Sequence, residues 1–148
     1  MKGCFWQELR GFAPVLHHSI VLCEGGVMAK ILFVDDEESI RTLCAEELGE
    51  EGYEVITTGK CKDVLDLIDS TLPSAVVLDI RMGDCNGLDL LQQIRNAYQD
   101  LPIILNTAYN SYREDVKSIA ADYYVVKSFD LAELKAKLAM VLKGKNRP

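Results

Sequence analysis

A doubly wound α/β fold on a five-stranded parallel sheet is predicted by two features of the chain from residue 30 onward. Short apolar runs recur, and segments of helical periodicity separate them. A third feature says where such a sheet would act: acidic, hydroxyl and ammonium residues stand directly after the apolar runs, and ligands of these sheets bind at the carboxyl ends of the strands.

The first strand is read as Lys30–Val34, whose core Ile31-Leu32-Phe33-Val34 is continuously apolar. The second, 53–58, has a shorter core of Val55-Ile56 and is expected at an edge. Strands at Ala75–Leu78, 102–106 and Tyr123–Val126 follow; with the first, these are expected to be inner or well covered. Between them Ile40, Leu43, Cys44 and Leu48 keep helical spacing, as do Cys61, Val64, Leu65 and Ile68, and then Leu90, Leu91, Ile94 and Tyr98. A last helix begins at an Asp130 N-cap with Glu133 three residues on, buries Leu131, Leu134, Leu138 and Val141, and ends near Lys143-Gly144. The domain is therefore placed at 29–144, with a non-domain extension at 1–28 and a tail at 145–148. Only the tail follows the last helix, so no effector domain is expected.

Composition narrows the class. The chain has 148 residues, 49% hydrophobic and 26% charged, enough for a packed core without staples. A net charge of -7 opposes direct binding to a nucleic-acid backbone, which rewards clustered Lys and Arg. Five cysteines (Cys4, Cys23, Cys44, Cys61 and Cys85) lie at wide spacings without a CxxC pair, and are read as reduced thiols of a cytoplasmic protein, with Cys44 and Cys61 buried on apolar helix stripes. The apolar stretch from Phe12 to Cys23 is broken by Pro14, His17, His18 and Ser19 and is too short to cross a bilayer. It also makes a poor signal peptide, since Leu22 is bulky where a small residue is wanted. Met28-Ala29-Lys30 leads straight into the first strand and is the expected true start.

At the strand ends stand Asp35-Asp36-Glu37-Glu38, Asp79, Thr107 and Lys127. Each alone has an ordinary explanation, because carboxylates cap helices and begin turns, and Thr and Lys are common on surfaces. Together on one rim they specify a chemistry. Carboxylates crowded at neutral pH repel one another, and a hard divalent cation with oxygen ligands relieves this; Mg²⁺ is the natural choice because it can also bind a phosphate oxygen. A carboxylate beside it could attack an activated phosphoryl donor while hydroxyl and ammonium groups spread the charge on the transferring group.

Four segments resemble the receiver domain of bacterial response regulators: Ile31-Leu32-Phe33-Val34-Asp35-Asp36-Glu37, Val76-Val77-Leu78-Asp79-Ile80-Arg81-Met82, Asn106-Thr107-Ala108-Tyr109 and Tyr124-Val125-Val126-Lys127-Ser128-Phe129. The resemblance covers about residues 29 to 144 and implies a flavodoxin-like fold of strand order 2-1-3-4-5. It makes Asp79 the phosphoacceptor, Asp35 and Asp36 the metal-binding pair, and the Arg81 backbone carbonyl a further metal ligand. Thr107 and Lys127 match the phosphoryl-contacting pair. Tyr124 matches the aromatic that changes rotamer with the threonine, the ordinary alternative being an aromatic at a strand end; Tyr123 beside it leaves the register open. The family implies a histidine kinase or histidine phosphotransfer protein as donor, docking over the first helix, where Ile40 is either an exposed apolar contact or the start of the core stripe. A downstream protein target is implied, with no direct nucleic acid and no membrane; dimerisation of the phosphorylated form stays open.

The pattern also departs from the family. Ser128 replaces a proline preceded by a cis peptide; before a non-proline residue that bond costs about 2.5 to 4 kcal/mol, so either Lys127 is held less rigidly or the strain is retained. Gly83 and Asn86 replace a proline and an aspartate, which should loosen the loop after Asp79. The interval from Thr107 to Lys127 is about two residues short, with Ala120-Ala121 where Gly-Ala is common, so the helix within it should be abbreviated. Arg81 and Tyr109 flank the path of water to an acyl phosphate, and their bulk implies slow hydrolysis. The leading expectation is a stand-alone signalling receiver that is no enzyme beyond its own phosphotransfer and dephosphorylation. The alternative is a pseudo-receiver that binds partners without phosphate. A phosphatase is disfavoured because no Asp-x-Asp arrangement supplies a general acid beside Asp79.

Overall fold

In the computed structural model, which describes residues 28–108 and 120–145, five parallel strands form one sheet in the order β2-β1-β3-β4-β5. They are β1 (Lys30–Val34), β2 (Glu54–Thr58), β3 (Ala75–Leu78), β4 (Ile103–Thr107) and β5 (Tyr123–Val126). Three match the expected bounds, and β2 and β4 begin one residue later than read from sequence. The helices are α1 (Glu38–Glu50), α2 (Val64–Thr71), α3 (Gly87–Ala97) and α4 (Ala132–Lys145), with a 3-10 turn at Cys61–Asp63 ahead of α2. The expected short helix between β4 and β5, Tyr109, Cys4, Cys23 and the extension to residue 27 lie outside the described residues.

Why the inner strands read as unbroken apolar runs is plain from the two cores. Along β1, Leu32 and Val34 point to one face of the sheet with Val76, Leu78, Ile103 and Leu105, and pack under Val64 and Ile68 of α2 and Leu88, Leu91 and Ile94 of α3. The intervening Ile31 and Phe33, with Val77, Ile104 and Val125, meet Cys44 and Leu48 of α1 and Leu134 and Leu138 of α4 on the other face. Every residue of β3 and β4, and of β1 after Lys30, is thus buried, each large apolar side chain contributing about 1.5–3 kcal/mol. β2 is an edge, as expected. β5 is the opposite edge, only partly covered despite its apolar run, because nothing in the sheet pairs beyond it.

Local signals end the helices. After α1, Gly52 at φ 98° takes the left-handed turn, its N–H donating to the Gly49 carbonyl. Leu72 does the same for α2 at φ 51° without being glycine, and its side chain is left exposed. Asn86 caps α3, its Oδ1 accepting from the Leu88 N–H at 2.8 Å. Asp130 Oδ1 accepts from the Ala132 N–H at 2.9 Å, the role expected of it.

Two expectations are corrected. Cys61 and Cys85 are not reduced thiols but form a disulfide; Cys44 is a buried free thiol, pushed up to about 11 by burial and by the neighbouring Asp35 charge. Their pairing was hidden by a separation of 24 residues, which the parallel topology closes by bringing the loops after β2 and β3 together. The loop after Asp79 is also not loose, for reasons that belong to the site.

Candidate functional site

The rim at the carboxyl ends of the strands gathers the residues singled out from sequence. β1 runs directly into Asp35 and β3 into Asp79; the Asp35 N–H donates to the Thr58 carbonyl at 3.1 Å and the Asp79 N–H to the Val34 carbonyl at 3.0 Å, so sheet pairing continues into the site. Thr107 ends β4 and accepts through its carbonyl from the Lys127 N–H at 2.8 Å. Backbone register therefore sets where these four residues leave the sheet.

Asp35, Asp79 and Thr107 are 0%, 5% and 0% exposed. Between the two carboxylates lies the Lys127 ammonium, 2.7 Å from Asp35 Oδ2 and 3.1 Å from Asp79 Oδ2, with Glu37 Oε1 at 3.3 Å on its outer side. Burial pushes the Asp79 carboxyl above its ordinary range, and Lys127 opposes this while Asp35 adds to it. For Lys127, burial disfavours the charged form, but its hydrogen bonds and charge attraction to Asp35 and Asp79 together outweigh that and raise it. The lysine is charged and the pair of carboxylates is held against its own repulsion.

Asp36, unlike its neighbour, is exposed; its Oδ2 accepts from the Gly83 N–H at 2.9 Å. Asp35, Asp36 and Asp79 each present a carboxylate oxygen, all three within 4.8 Å of one another. This hard-oxygen donor set fits a small divalent cation such as Mg²⁺. A second cluster, Cys61, Asp84 and Cys85, has its two sulfurs joined to each other and so offers no thiolate pair in this state.

The loop after Asp79 is fastened at several points. Arg81 and Asn86 form an antiparallel bridge, the Gly87 N–H donates to the Ile80 carbonyl at 2.6 Å, Gly83 is tied to Asp36, and Cys85 is bonded to Cys61. These contacts offset what the loop lacks in proline. Gly87 is required where α3 passes under the strand end: a Cβ there would meet the Asp79 carbonyl oxygen and come within 2.6 Å of Ile80 Cα. Arg81 itself is exposed, with its N–H directed to Asp79 Oδ1 at 3.4 Å.

On the other side, Tyr124 pairs with Leu105 and Thr107 with Val126, which puts Thr107 and Tyr124 on the same face of the sheet. Tyr123 takes the opposite face, where Lys137 lies 4.8 Å over its ring, so the register left open by the double tyrosine is resolved. The peptide between Lys127 and Ser128 is not cis, which removes the alternative of retained strain. Ile40 is half-buried against the α1–α4 core, as the core-stripe alternative has it, and also lines a cavity of about 240 Å³ with Leu43, Lys127 and Phe129.

Sequence reasoning passed over three contributors. Glu37 was visible only as part of an acidic run, although it bonds the same lysine as Asp79. The Gly83 amide has no side-chain signal at all. Arg41, whose Nη1 donates to the Asp35 carbonyl at 2.8 Å, reads in sequence as one more surface charge on a helix.

The model of the response regulator receiver domain matches residues 31–139. The chain belongs to this family. Among curated relatives, response regulator MprA of Mycolicibacterium vanbaalenii is 39% identical over 116 residues, 77% of this chain and 50% of MprA. The probable transcriptional regulator ycf27 of Guillardia theta is 38% identical over 120 residues, 80% of this chain and 47% of the relative. The receiver domain described here thus spans about half the length of these relatives. Among solved structures, response regulator TrrA of Thermotoga maritima in complex with Mg²⁺-BeF is 48% identical, with a TM-score of 0.76, covering 78% of this chain and all of TrrA. TrrA in complex with histidine kinase ThkA matches with a TM-score of 0.74, covering 78% of this chain and 99% of that one. The five-stranded 2-1-3-4-5 order is the fold these receivers share. Among the described residues no helix is long and apolar enough to cross a membrane.

Proposed function

We propose that this receiver accepts a phosphoryl group on Asp79 from a histidine kinase or histidine phosphotransfer protein, in a Mg²⁺-dependent reaction, and signals from the cytoplasm by contact with a protein partner. The observation that carries it is the nearly buried Asp79 carboxylate, paired with the Lys127 ammonium and grouped with the carboxylates of Asp35 and Asp36. TrrA supports the donor and metal classes, since it has been crystallised both with a histidine kinase and with Mg²⁺-BeF.

Asp35, Asp36, Asp79 and the Arg81 carbonyl would hold the cation, which when bound supplies charge neutralisation at the phosphoryl oxygens. A carboxylate oxygen of Asp79 forms the new bond to phosphorus as the phosphorus–nitrogen bond of the phosphohistidine breaks, the electron pair returning to the imidazole. Lys127, already charged and ion-paired, steadies the added negative charge of the acyl phosphate. The Thr107 hydroxyl turns toward the phosphoryl group and Tyr124, on the same face, follows the space it leaves. In this reading the chain acts on no substrate beyond its own phosphorylation and dephosphorylation, since Ile80 and Arg81 follow Asp79 and leave no Asp-x-Asp arrangement to supply a general acid.

The test is incubation with acetyl phosphate and Mg²⁺ followed by intact-mass analysis. One phosphoryl group is expected on the wild type and none on Asp79→Asn or without the metal. No gain from acetyl phosphate or from a cognate kinase would leave a pseudo-receiver.

A further inference from the structure

The one covalent cross-link among the described residues fastens the loop that follows the proposed phosphoacceptor, and no step of the proposed phosphotransfer uses it. Cys61 opens the 3-10 turn after β2 and is buried; Cys85 is half-buried in the loop between β3 and α3. Their Cα atoms are 6.2 Å apart, within the span a disulfide bridges without backbone movement. A second contact holds the same two segments together independently of the sulfurs: the Cys61 N–H donates to both oxygens of Asp84, at 3.0 and 3.3 Å. The residue adjoining Cys85 is therefore anchored to Cys61 whether or not the bond is closed, so the two thiols stay neighbours when reduced.

The tethered loop reaches the donor set directly. Cys85 lies inside the turn closed by the Arg81–Asn86 bridge, and the same turn carries the Gly83 N–H that donates to Asp36. Gly83 stands where the resemblance leads one to expect proline, so the backbone there has little stiffness of its own. The cross-link ties down the loop in which the Gly83 N–H meets Asp36 and the Arg81 N–H is directed to Asp79. Groups that orient metal ligands in this way raise metal affinity when fixed and lower it when released.

We propose that Cys61 and Cys85 form a reversible thiol–disulfide site that tunes the receiver, the oxidised form binding Mg²⁺ more tightly and accepting phosphate faster. This coupling rests on the receiver function proposed above; the modification site itself does not. Oxidation proceeds by exchange with a small-molecule disulfide such as oxidised glutathione. The more accessible Cys85 thiolate attacks one of its sulfurs and releases one glutathione thiol. The Cys61 thiolate then attacks the Cys85 sulfur of the mixed disulfide and displaces the second. Two protein thiols become one disulfide, the glutathione disulfide becomes two thiols, and the two protons pass to the departing thiolates.

The full-length chain would be equilibrated in glutathione buffers of varied ratio, quenched by alkylation and mapped after trypsin. The expected product links Cys61-Lys62 to the peptide 82–95 and is reversed by reduced glutathione. Calorimetric titration with Mg²⁺ should then show a dissociation constant up to about 10-fold higher in the reduced protein. Phosphorylation by acetyl phosphate should slow in step, and Cys85→Ser should match the reduced form in both buffers. Should Cys85→Ser fail to fold, alkylated reduced wild type takes its place. A bond to any other cysteine, or none, overturns the modification site. A correct bond with equal Mg²⁺ affinity and equal phosphorylation in both states overturns the coupling. Absence of Mg²⁺ binding in either state, with the bond formed, refutes the receiver function and with it the coupling, while leaving the thiol–disulfide site established.

Discussion

The loops after β3 and after β5 both deliver a residue to the rim, and they are built in opposite ways. The β3 loop is fastened by a backbone bridge, an amide on Asp36, a disulfide and a glycine that lets α3 pass beneath it. The β5 loop has a short local bond, the Asp130 N–H donating to Ser128 Oγ at 3.0 Å, and it leaves Phe129 89% exposed. Yet Lys127, which it follows, is as well placed as Asp79. The difference teaches that a buried ammonium between two carboxylates is positioned by its charges, whereas a phosphoacceptor loop that must also hold metal ligands is positioned by its backbone.

The largest effect should come from removing the charge that does the positioning. Lys127→Met leaves Asp35 and Asp79 buried without their cation, and breaking such a pair costs roughly 3 to 5 kcal/mol. Urea denaturation in EDTA measures it; a loss below about 1 kcal/mol would mean that the β5 loop, not the ion pairs, holds this corner. Acetyl phosphate labelling of Asp79 should fail in the same variant.

Next in size is the backbone of the β3 loop. Gly87→Ala puts a Cβ against the Asp79 carbonyl and Ile80, so either the strand end or α3 must shift, at about 2 to 3 kcal/mol. The same variant should slow phosphorylation more than tenfold, because the shift moves Asp79 itself. Unchanged labelling in a destabilised protein would show that the loop's fastening serves stability alone.

A smaller effect of the opposite sign is expected at Asp79. Its folded-state carboxyl is raised by burial, so its contribution to stability is full below the unfolded value of about 3.9 and is lost as pH rises through the folded one. Asp79→Asn should therefore stabilise the metal-free protein at pH 7, by about 2 °C in Tm. That advantage should fade below about pH 4, where the wild-type carboxyl is neutral in both states. A lower Tm for the variant at pH 7 would mean that the bond to Lys127 outweighs desolvation.

How much of this was legible in the sequence follows from what each interaction leaves there. Inner strands covered on both faces must be apolar at every position, so Ile31-Leu32-Phe33-Val34 and Ala75-Val76-Val77-Leu78 announced themselves, and the rim residues followed because they come next in the chain. The partial cover of β5 did not show in its residues, which are apolar although only Val125 is fully buried; its edge position came only from the strand order that the resemblance implied. The tie from Gly83 to Asp36 and the bond from Cys61 to Cys85 join residues 47 and 24 positions apart through one amide and one pair of thiols. Neither leaves a local pattern, since what creates them is the order β2-β1-β3, which sets both loops beside the end of β1.

The smallest expected effect sharpens the contrast between the loops most directly. If charges place Lys127, the side chain that follows it should hardly matter. Ser128→Ala deletes one acceptor, Ser128 Oγ, for the exposed Asp130 N–H, which water can replace, so stability should fall by no more than about 0.5 kcal/mol. Phosphorylation by acetyl phosphate should change less than twofold, because the 2.7 Å and 3.1 Å contacts of the ammonium do not pass through residue 128. A tenfold slowing with stability intact would reverse the assignment: the β5 loop would then be aiming the lysine through its backbone, and the two loops would differ in how visibly they are fastened rather than in what fastens them.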